Sequence, residues 1–568
     1  MVAKALKTNW LAVGALLIAS APSARAGDVT YERLRAPEPR NWLMNHGDFG
    51  AHRYSALESV NRQNVKGLKL AFAVGIGGRG GNENLVATPL VEDGFMYMPD
   101  AWGSVYKIDV RSGKSGPIVW KMDPGQQKID RNRGVALWEN LVISVTGHDA
   151  RVIATNKDTG RVVWDKKLDD QRDLTLNAAP LALKNAVLIG ASGGDQGVRD
   201  WVAALDPRTG AELWRTYAIP APGEPGSETW KDKNNAWLTG GGAFYATGSY
   251  DPDSNLTYWG AGNPTPKYDS SYRPGDNLYT NSAIAFDAST GKIVWHHQYT
   301  PNDSMDYDEV GSHVLIDTLV NGEKRKLVVH PARNGFHYSF DRLNGQFLKA
   351  AQYVSKVTWT KGIDPKTGRP LDYDPAKDLQ TYAEPVGKIL TGAKDSICPG
   401  VPGGSNFWPP SYSRTTRLFY VPGLEGCTNI TRDQTRHVPG KFDGGSFGYD
   451  SRVTSSMVAM DPVTGEIKRR VEMDYPNTSG ALTTAGGLLF TALLDGSILA
   501  LDDTTLETLW SINVGIGINA PPMTYEVDGK QYIAIATGLT GNQMGRLGRT
   551  PELRDMAKNT TMIFVFAL

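Results

Sequence analysis

ALDPRTGAELW, residues 204–214, decides the fold, because the chain writes the same phrase again and again. It returns as AFDASTGKIVW at Ala285–Trp295, and TNKDTGRVVW at Thr155–Trp164 carries Asn156 in the Asp place. ALDDTTLETLW at Ala500–Trp510 has lost the Gly. A stretched copy runs from Asp109 to Trp120, and copies without Trp sit at Asp341–Gly345 and Asp461–Gly465. Such recurrence means one supersecondary unit used many times. An apolar strand enters (VAAL before Asp206, AIAF before Asp287), and a second strand ending in Trp leaves. Between them Asp caps a turn with its side chain, and Gly takes the positive φ that closes it. The Trp is large enough to dock on the neighbouring copy, burying surface between units rather than within one.

Units of about forty residues built from short strands predict an all-β chain, a β-propeller with tryptophan-docked blades. Seven copies of unequal quality, plus the strand-like MIFVFAL (Met562–Leu568), fit eight blades better than six or seven. A β-solenoid, whose repeats would be shorter, is the competing architecture. A chain of 568 residues would ordinarily suggest several domains. The repeat overrides that expectation and predicts one propeller domain over 27–568, preceded by a signal peptide over 1–26. Lys4 and Lys7 precede the apolar WLAVGALLIA (Trp10–Ala19), and Ala24-Arg25-Ala26 supplies a cleavage site, so export to the periplasm is expected. An uncleaved anchor is the alternative, but the apolar run is short for a bilayer.

Lys plus Arg equals Asp plus Glu at 60 each, which removes any global charge that would recruit nucleic acid or an anionic membrane. Only Cys398 and Cys427 are present. In an exported chain they are expected to form one disulfide, with two structural thiols as the alternative. The sequence contains no Cys-x-x-Cys-His, hence no attachment site for a c-type haem.

Three segments between the repeats carry candidate chemistry. ASGGDQGVRDW (Ala191–Trp201) places small residues ahead of Asp195, where backbone N–H groups can meet a carboxylate. YWGAGNP (Tyr258–Pro264) puts Asn263 just after a strand, at a turn facing the ring. TPNDSMDYDEVG (Thr300–Gly311) gathers Asp303, Asp306 and Asp308. On an extended segment Asp306 and Asp308 point the same way. Two same-side carboxylates repel unless a cation or proton lies between them. With oxygen ligands only, the expected ion is hard: Ca²⁺, Mg²⁺ or a trivalent relative. Taken singly, Asn263-Pro264 reads as a turn and the acidic run as a solvated loop.

In this order the segments resemble those of the pyrroloquinoline-quinone (PQQ) dependent alcohol dehydrogenases, including methanol dehydrogenase large subunits. The resemblance runs from NWLMNHGDFGAHRYSAL (Asn41–Leu57) to the C-terminus. It is most specific at YDPDSNLTYWGAGNP, RPGDN (Arg273–Asn277), HPARNG (His330–Gly335) and TAGGLLFTALLDG (Thr484–Gly496). It implies PQQ over the ring centre, sandwiched between side chains, with a metal at its C5 carbonyl edge. By that resemblance Asn263 is a metal ligand and Asp306 the catalytic base that also touches the metal. Asp308 stands where lanthanide-using members add a carboxylate, and Asp195 where the family usually has a metal-binding Glu. Arg133 would pair with a PQQ carboxylate, supported by Ser192 and the Gly193–Gly194 backbone, and Arg333 would hydrogen-bond the quinone oxygens. Asn406 and Trp408 match a segment that lines the cofactor. Cys398 and Cys427 match a structural disulfide.

The departures matter as much. Gln127 and Lys128 stand where many relatives carry an adjacent cysteine pair over one PQQ face. Tyr245 replaces the Trp of the opposite floor, Asn177 a cofactor-contacting Thr, Val86 a Glu, and Thr478 a pocket-closing Trp. A smaller wall at Thr478 suggests an alcohol bulkier than methanol, a secondary or cyclic one included. The resemblance implies hydride transfer to PQQ, Asp306 accepting the hydroxyl proton, and electrons passed on to a periplasmic cytochrome c. Two rivals stand beside it: a PQQ-dependent sugar or polyol dehydrogenase, and a non-enzymatic propeller scaffold of outer-membrane assembly. The metal reads as Ca²⁺ or a lanthanide, Asp308 favouring the latter.

Overall fold

The computed structural model describes residues 27–80, 83–320, 322–392, 395–434, 442–450, 452–538, 550, 553 and 560–568. The signal peptide expected over 1–26 lies outside the described residues. The chain is nearly all β, with two short α-helices among the described residues, Tyr31–Arg35 and Glu384–Leu390. Among the described residues the strands form eight sheets of four or five strands and a ninth of three. Within the large sheets most consecutive strands pair antiparallel, as in Leu181–Ala182, Val187–Gly190, Trp201–Leu205 and Glu212–Tyr217. The third strand of that sheet is buried throughout and the fourth is partly exposed, so the sheet runs from core to rim.

One register recurs. Trp214 pairs with Ala204 and Trp295 with Ala285, each two residues before the motif Asp, and the ladder shifts immediately afterwards. The same pairing and shift occur at Lys107↔Trp120, Ala154↔Trp164 and Ala500↔Trp510. A recurrent bulge strengthens the local twist and turns the Trp toward the next sheet. There its indole N–H donates to a backbone carbonyl of the following turn: Trp164 to Pro207, Trp214 to Ala288, Trp295 to Arg342, at 2.9–3.0 Å.

The docking explains the motif glycine. Gly210 and Gly291 both have φ +71°, and a Cβ on either would lie 2.7 or 2.4 Å from the preceding unit's Trp. Glycine therefore permits the left-handed turn and the close approach together. Leu506, in the copy that lost its Gly, adopts φ 63° all the same. The copy before it carries no Trp, so its side chain has room and is buried. The motif Asp caps as expected, Asp287 Oδ1 accepting the Ser289 and Thr290 N–H groups.

Met562–Ala567 is a strand, and it pairs antiparallel with Lys69–Gly75, so an early strand completes the sheet of the last ones. The three-stranded sheet (Asp395–Ile397, Thr428–Arg432, Gly445–Tyr449) stands beside the sheet containing Phe419–Glu425 and Thr454–Met460. Cys398 and Cys427 are joined by a disulfide, Cα atoms 4.5 Å apart. The bond fixes the start of the 398–408 segment, which feeds the site described next. No helix among the described residues is long and apolar enough to cross a membrane.

Candidate active site

Buried Arg273 of the RPGDN stretch assembles the site's loops. Its guanidinium donates to Pro266 O at 2.8 Å, to Asn277 Oδ1 at 2.9 Å and to Asp303 O, clamping the Asn263–Tyr268 turn onto the Thr300–Asp308 loop. Asp303 is a cap rather than a ligand, because its two oxygens accept the Met305 and Tyr307 N–H groups at 2.9 Å. The loop is not simply extended, as the sequence pattern suggested. Asp306 sits at φ 64°, a left-handed conformation that non-glycine residues hold only where the surroundings enforce it. Asp306 and Asp308 still face one partner. The Arg333 guanidinium hydrogen-bonds Asp308 Oδ2 and lies 3.7 Å from Asp306 Oδ2. A Cβ on Gly262 would come within 2.6 Å of Asp308 Oδ1, so only glycine admits that carboxylate.

The cation required between the carboxylates is thus supplied by the chain, and twice over. Lys267, which sequence reasoning passed over, places Nζ 3.2 Å from Asp195 Oδ2, 3.8 Å from Asp306 Oδ2 and 3.0 Å from Asp443 Oδ1. Its signal was a charged residue inside the compact NPTPKYD turn, four residues after Asn263. Tyr268 OH adds a hydrogen bond to Asp306 Oδ2 at 3.3 Å. Burial pushes the Asp306 carboxyl well above the usual carboxylate range, against the pull of Lys267 and Arg333. Asp195 goes the other way: burial raises it, but Lys267 and the Asn263 side chain hold it below that range. Burial would lower the Lys267 ammonium, yet Asp195 and Asp306 keep it well above its ordinary value.

Asp308 is fully engaged. Oδ2 takes Arg333 and the Tyr245 hydroxyl (2.7 Å), and Oδ1 takes the Asn263 N–H at 2.9 Å. Among the described residues no three His, Cys, Asp or Glu side chains gather into a metal cage by themselves. Arg333 and Lys267 stand among the carboxylates. The oxygens left with capacity, those of Asp195, Asp306 and the Asn263 amide, are the hard donors that Ca²⁺ or a lanthanide takes. Glu309 lies behind. Its Oε2 accepts the Arg333 N–H at 2.9 Å and meets His330 Nε2 at 3.0 Å, and its Oε1 is buried without a partner.

Arg133 forms the other half. It lies over the rings of Tyr245 and Phe407, 4.9 and 5.1 Å from their centroids, and donates to Asn177 O at 3.3 Å. Its Nε is buried with no partner, and no carboxylate pairs with it among the described residues. Burial lowers the guanidinium pKa to about 10. A buried cation without its anion, between two aromatic faces, fits a planar polyanion such as PQQ. Tyr245 joins the halves, its ring under Arg133 and its hydroxyl on Asp308 and Asn406 Oδ1.

Not every expected contact is here. Trp408 is fully buried, donates to Pro422 O and packs on Leu424 and Val453; its neighbour Phe407 is the one that meets Arg133. The backbone bends at Phe407 and Trp408, so the two aromatics leave in different directions and the one between Asn406 and Trp408 reaches the site. The Ser192 N–H is spent on Thr175 O, and Gly193 holds φ +124°, leaving fewer free amides than the SGG stretch promised. Thr478 is fully buried and donates to Asn519 Oδ1. Asn519 in turn lines a small cavity with Arg133, Val86, His46 and Phe407.

Residues 42–354 and 444–533 match the family model described as "PQQ: Glucose/ethanol/alcohol dehydrogenase, beta-propeller domain". The quinoprotein alcohol dehydrogenase PedH of Pseudomonas putida is 34% identical over 560 residues, covering 94% of this chain and 91% of the relative. The quinohemoprotein alcohol dehydrogenase of Comamonas testosteroni is 34% identical, with 98% of this chain and 82% of the relative covered. Among solved structures, a europium-containing methanol dehydrogenase superposes with a TM-score of 0.86 at 30% identity, covering 95% of this chain and all of that one.

Proposed function

The chain belongs to the PQQ-dependent alcohol dehydrogenases, an oxidoreductase family built on a β-propeller, and on that premise we propose which residues carry the reaction and on what alcohol. PQQ, when bound, supplies the two-electron acceptor, and a hard cation beside it supplies Lewis-acid polarisation. Arg133 and Asn177 would hold the acceptor's carboxylates, and Tyr245 and Phe407 would supply the aromatic surface beside it. Asp306 Oδ takes the hydroxyl proton of the alcohol, its carboxylate held by Tyr268, Arg333 and Lys267. Arg333, held by Asp308 and by the Val401 carbonyl, would place its positive charge beside the acceptor oxygen at which charge develops. Asp195, Asn263 and Asp306 would hold the cation, and Asp308 positions Arg333 and Tyr245. With one carboxylate so committed, Ca²⁺ suits the donor set better than a trivalent ion.

The observation that carries this reading is Tyr245, one side chain in contact with both the unpaired Arg133 and the aspartate cluster. The eight larger sheets read as eight blades of one domain over 27–568, exported to the periplasm, with a cytochrome c as electron acceptor. The substrate is an alcohol larger than methanol, secondary or cyclic. A polyol is the second reading, favoured by a polar rim in which Asp195 and Asp443 side chains are 46% and 39% exposed around Lys267.

Dye-linked oxidation of primary, secondary, cyclic and polyhydric alcohols tests it, with PQQ and either Ca²⁺ or La³⁺ added. Turnover is expected only with PQQ. Asp306→Asn should lower turnover by roughly 10²–10⁴-fold while PQQ still binds by absorbance titration. Activity surviving that substitution removes Asp306 as the base.

A further inference from the structure

The Lys267 ammonium occupies ground that a metal ion would claim, since it bridges Asp195 and Asp306 and is backed by Asp443. Its placement is built rather than incidental. The backbone carbonyls of Pro266 and Lys267 are held by Arg273, which donates to Pro266 O at 2.8 Å and to Lys267 O at 3.3 Å. Thr265 Oγ1 donates to Gly194 O at 2.9 Å, tying the turn to the stretch that carries Asp195. The Lys267 side chain is 12% exposed and that of Asp306 8%, so little water screens that pair.

We propose that Lys267 is the metal-selecting residue of this centre, a resident cation that weakens metal binding and does so more for trivalent than for divalent ions. The inference rests on the placing of the metal at Asp195, Asn263 and Asp306. Any ion entering there must either displace the ammonium from two carboxylates or share them with it. Repulsion between the ammonium and the ion grows with the ion's charge, so a lanthanide meets half as much again as Ca²⁺ at the same distance. Arg333, hydrogen-bonded to Asp308 and 3.7 Å from the same Asp306 Oδ2, adds to the penalty. The two side chains together supply two positive charges to four aspartates, Asp195, Asp306, Asp308 and Asp443, and the site has less negative charge to offer than its acidic sequence suggests.

The test is Tb³⁺ luminescence on the PQQ-free, metal-stripped full chain, sensitised by Tyr268 and Tyr245, with Ca²⁺ affinity read by competition. Lys267→Met is expected to bind Tb³⁺ at least about tenfold more tightly than the parent and to gain less for Ca²⁺. Lys267→Arg, which keeps the charge, should show no such gain. Should methionine not be tolerated, Lys267→Gln carries the same expectation with a polar chain among the carboxylates. Adding Asp195→Asn to the charge-removing variant should abolish the gain and so assign it to this centre. Equal or weaker Tb³⁺ affinity on loss of the ammonium, or a gain that survives Asp195→Asn, overturns the proposal. PQQ-dependent dye reduction, measured alongside, separates the two questions. A parent that turns over while its Lys267 variants show unchanged metal affinity refutes the role of Lys267 alone; a parent inert with PQQ refutes the enzyme assignment beneath it.

Discussion

Two arginines buried to nearly the same degree, Arg133 at 7% exposure and Arg333 at 5%, stand on either side of Tyr245. Arg333 has anions on hand, Asp308 in contact and Asp306 at 3.7 Å, and those carboxylates raise its pKa against the effect of burial. Arg133 has two aromatic faces, the two amide oxygens of Asn177 and an Nε without a partner, and burial lowers its pKa to about 10. The same side chain is therefore a finished ion pair in one place and an unfinished one in the other. A finished pair holds the protein together; an unfinished one costs stability until a ligand completes it. The difference teaches where the protein ends and its ligand begins.

Removing each arginine should separate the two roles. Arg333→Met leaves Asp308 buried without its cation and Asp306 with Lys267 alone, 3.8 Å away, and loss of one partner of a buried pair costs about 3–5 kcal/mol. Urea unfolding of the PQQ-free protein should show that loss. A stability unchanged from the parent would mean that Arg333 is no better paired than Arg133, and the contrast would collapse.

The disulfide bears more directly on the Arg333 half. Cys398–Cys427 anchors the segment whose Val401 carbonyl accepts Arg333 Nε at 2.9 Å and whose Pro399 carbonyl accepts Tyr307 OH at 2.7 Å. A closed loop with a sequence separation of 29 stabilises by about 3.5 kcal/mol in the chain-entropy model. Replacing both cysteines by serine should remove about that much and reduce turnover more than it weakens PQQ binding. Equal effects on both would show that the segment supports Arg133 as much as Arg333.

Arg133→Met is the mirror experiment. The PQQ-free protein should be as stable as the parent or more so, because an uncompensated buried cation has gone. PQQ should bind roughly 100-fold more weakly, about 2.7 kcal/mol for the lost charge-assisted contact. A variant that loses stability but keeps its PQQ affinity would reverse the assignment of the two arginines.

The fold was legible because it repeats. Asp, Gly and Trp recur at fixed offsets, and the register that pairs Trp214 with Ala204 is the one that pairs Trp295 with Ala285. The site was legible in outline through RPGDN, HPARNG and the acidic run, each of which lies at the centre. What stayed hidden were partners brought in from elsewhere in the chain. Lys267 gains meaning only once Asp195 and Asp443, 72 and 176 residues away by numbering, close around it. Phe407 was hidden by its neighbours, and Asp306 by a left-handed backbone that side-chain alternation cannot foresee. Sequence spacing predicted two carboxylates in need of a cation; it could not say that the chain carries its own.

The halves should also agree somewhere, and their histidines are where. His330 behind Arg333 and His46 beside Arg133 are both buried, and burial lowers each to a pKa of about 4. The unfolded chain takes up the imidazole proton near 6.5 and the native state only near 4. Between those values the unfolded state holds more protons, so each histidine contributes stability that is full above 6.5 and drains away as pH falls toward 4. Buried acids such as Asp306, raised by burial, act in the opposite sense, so the parent's own pH curve mixes the two. The difference between parent and His46→Gln isolates one imidazole. His46 keeps one hydrogen bond, Nε2 to Thr247 O at 3.2 Å, and glutamine can supply its equivalent. On going from pH 7 to pH 5.5 the parent should lose about 1 kcal/mol more than the variant. Parallel curves across that range would mean that the imidazole beside Arg133 is solvated enough to accept a proton in place. The cavity on that side would then already be wet before any ligand arrives.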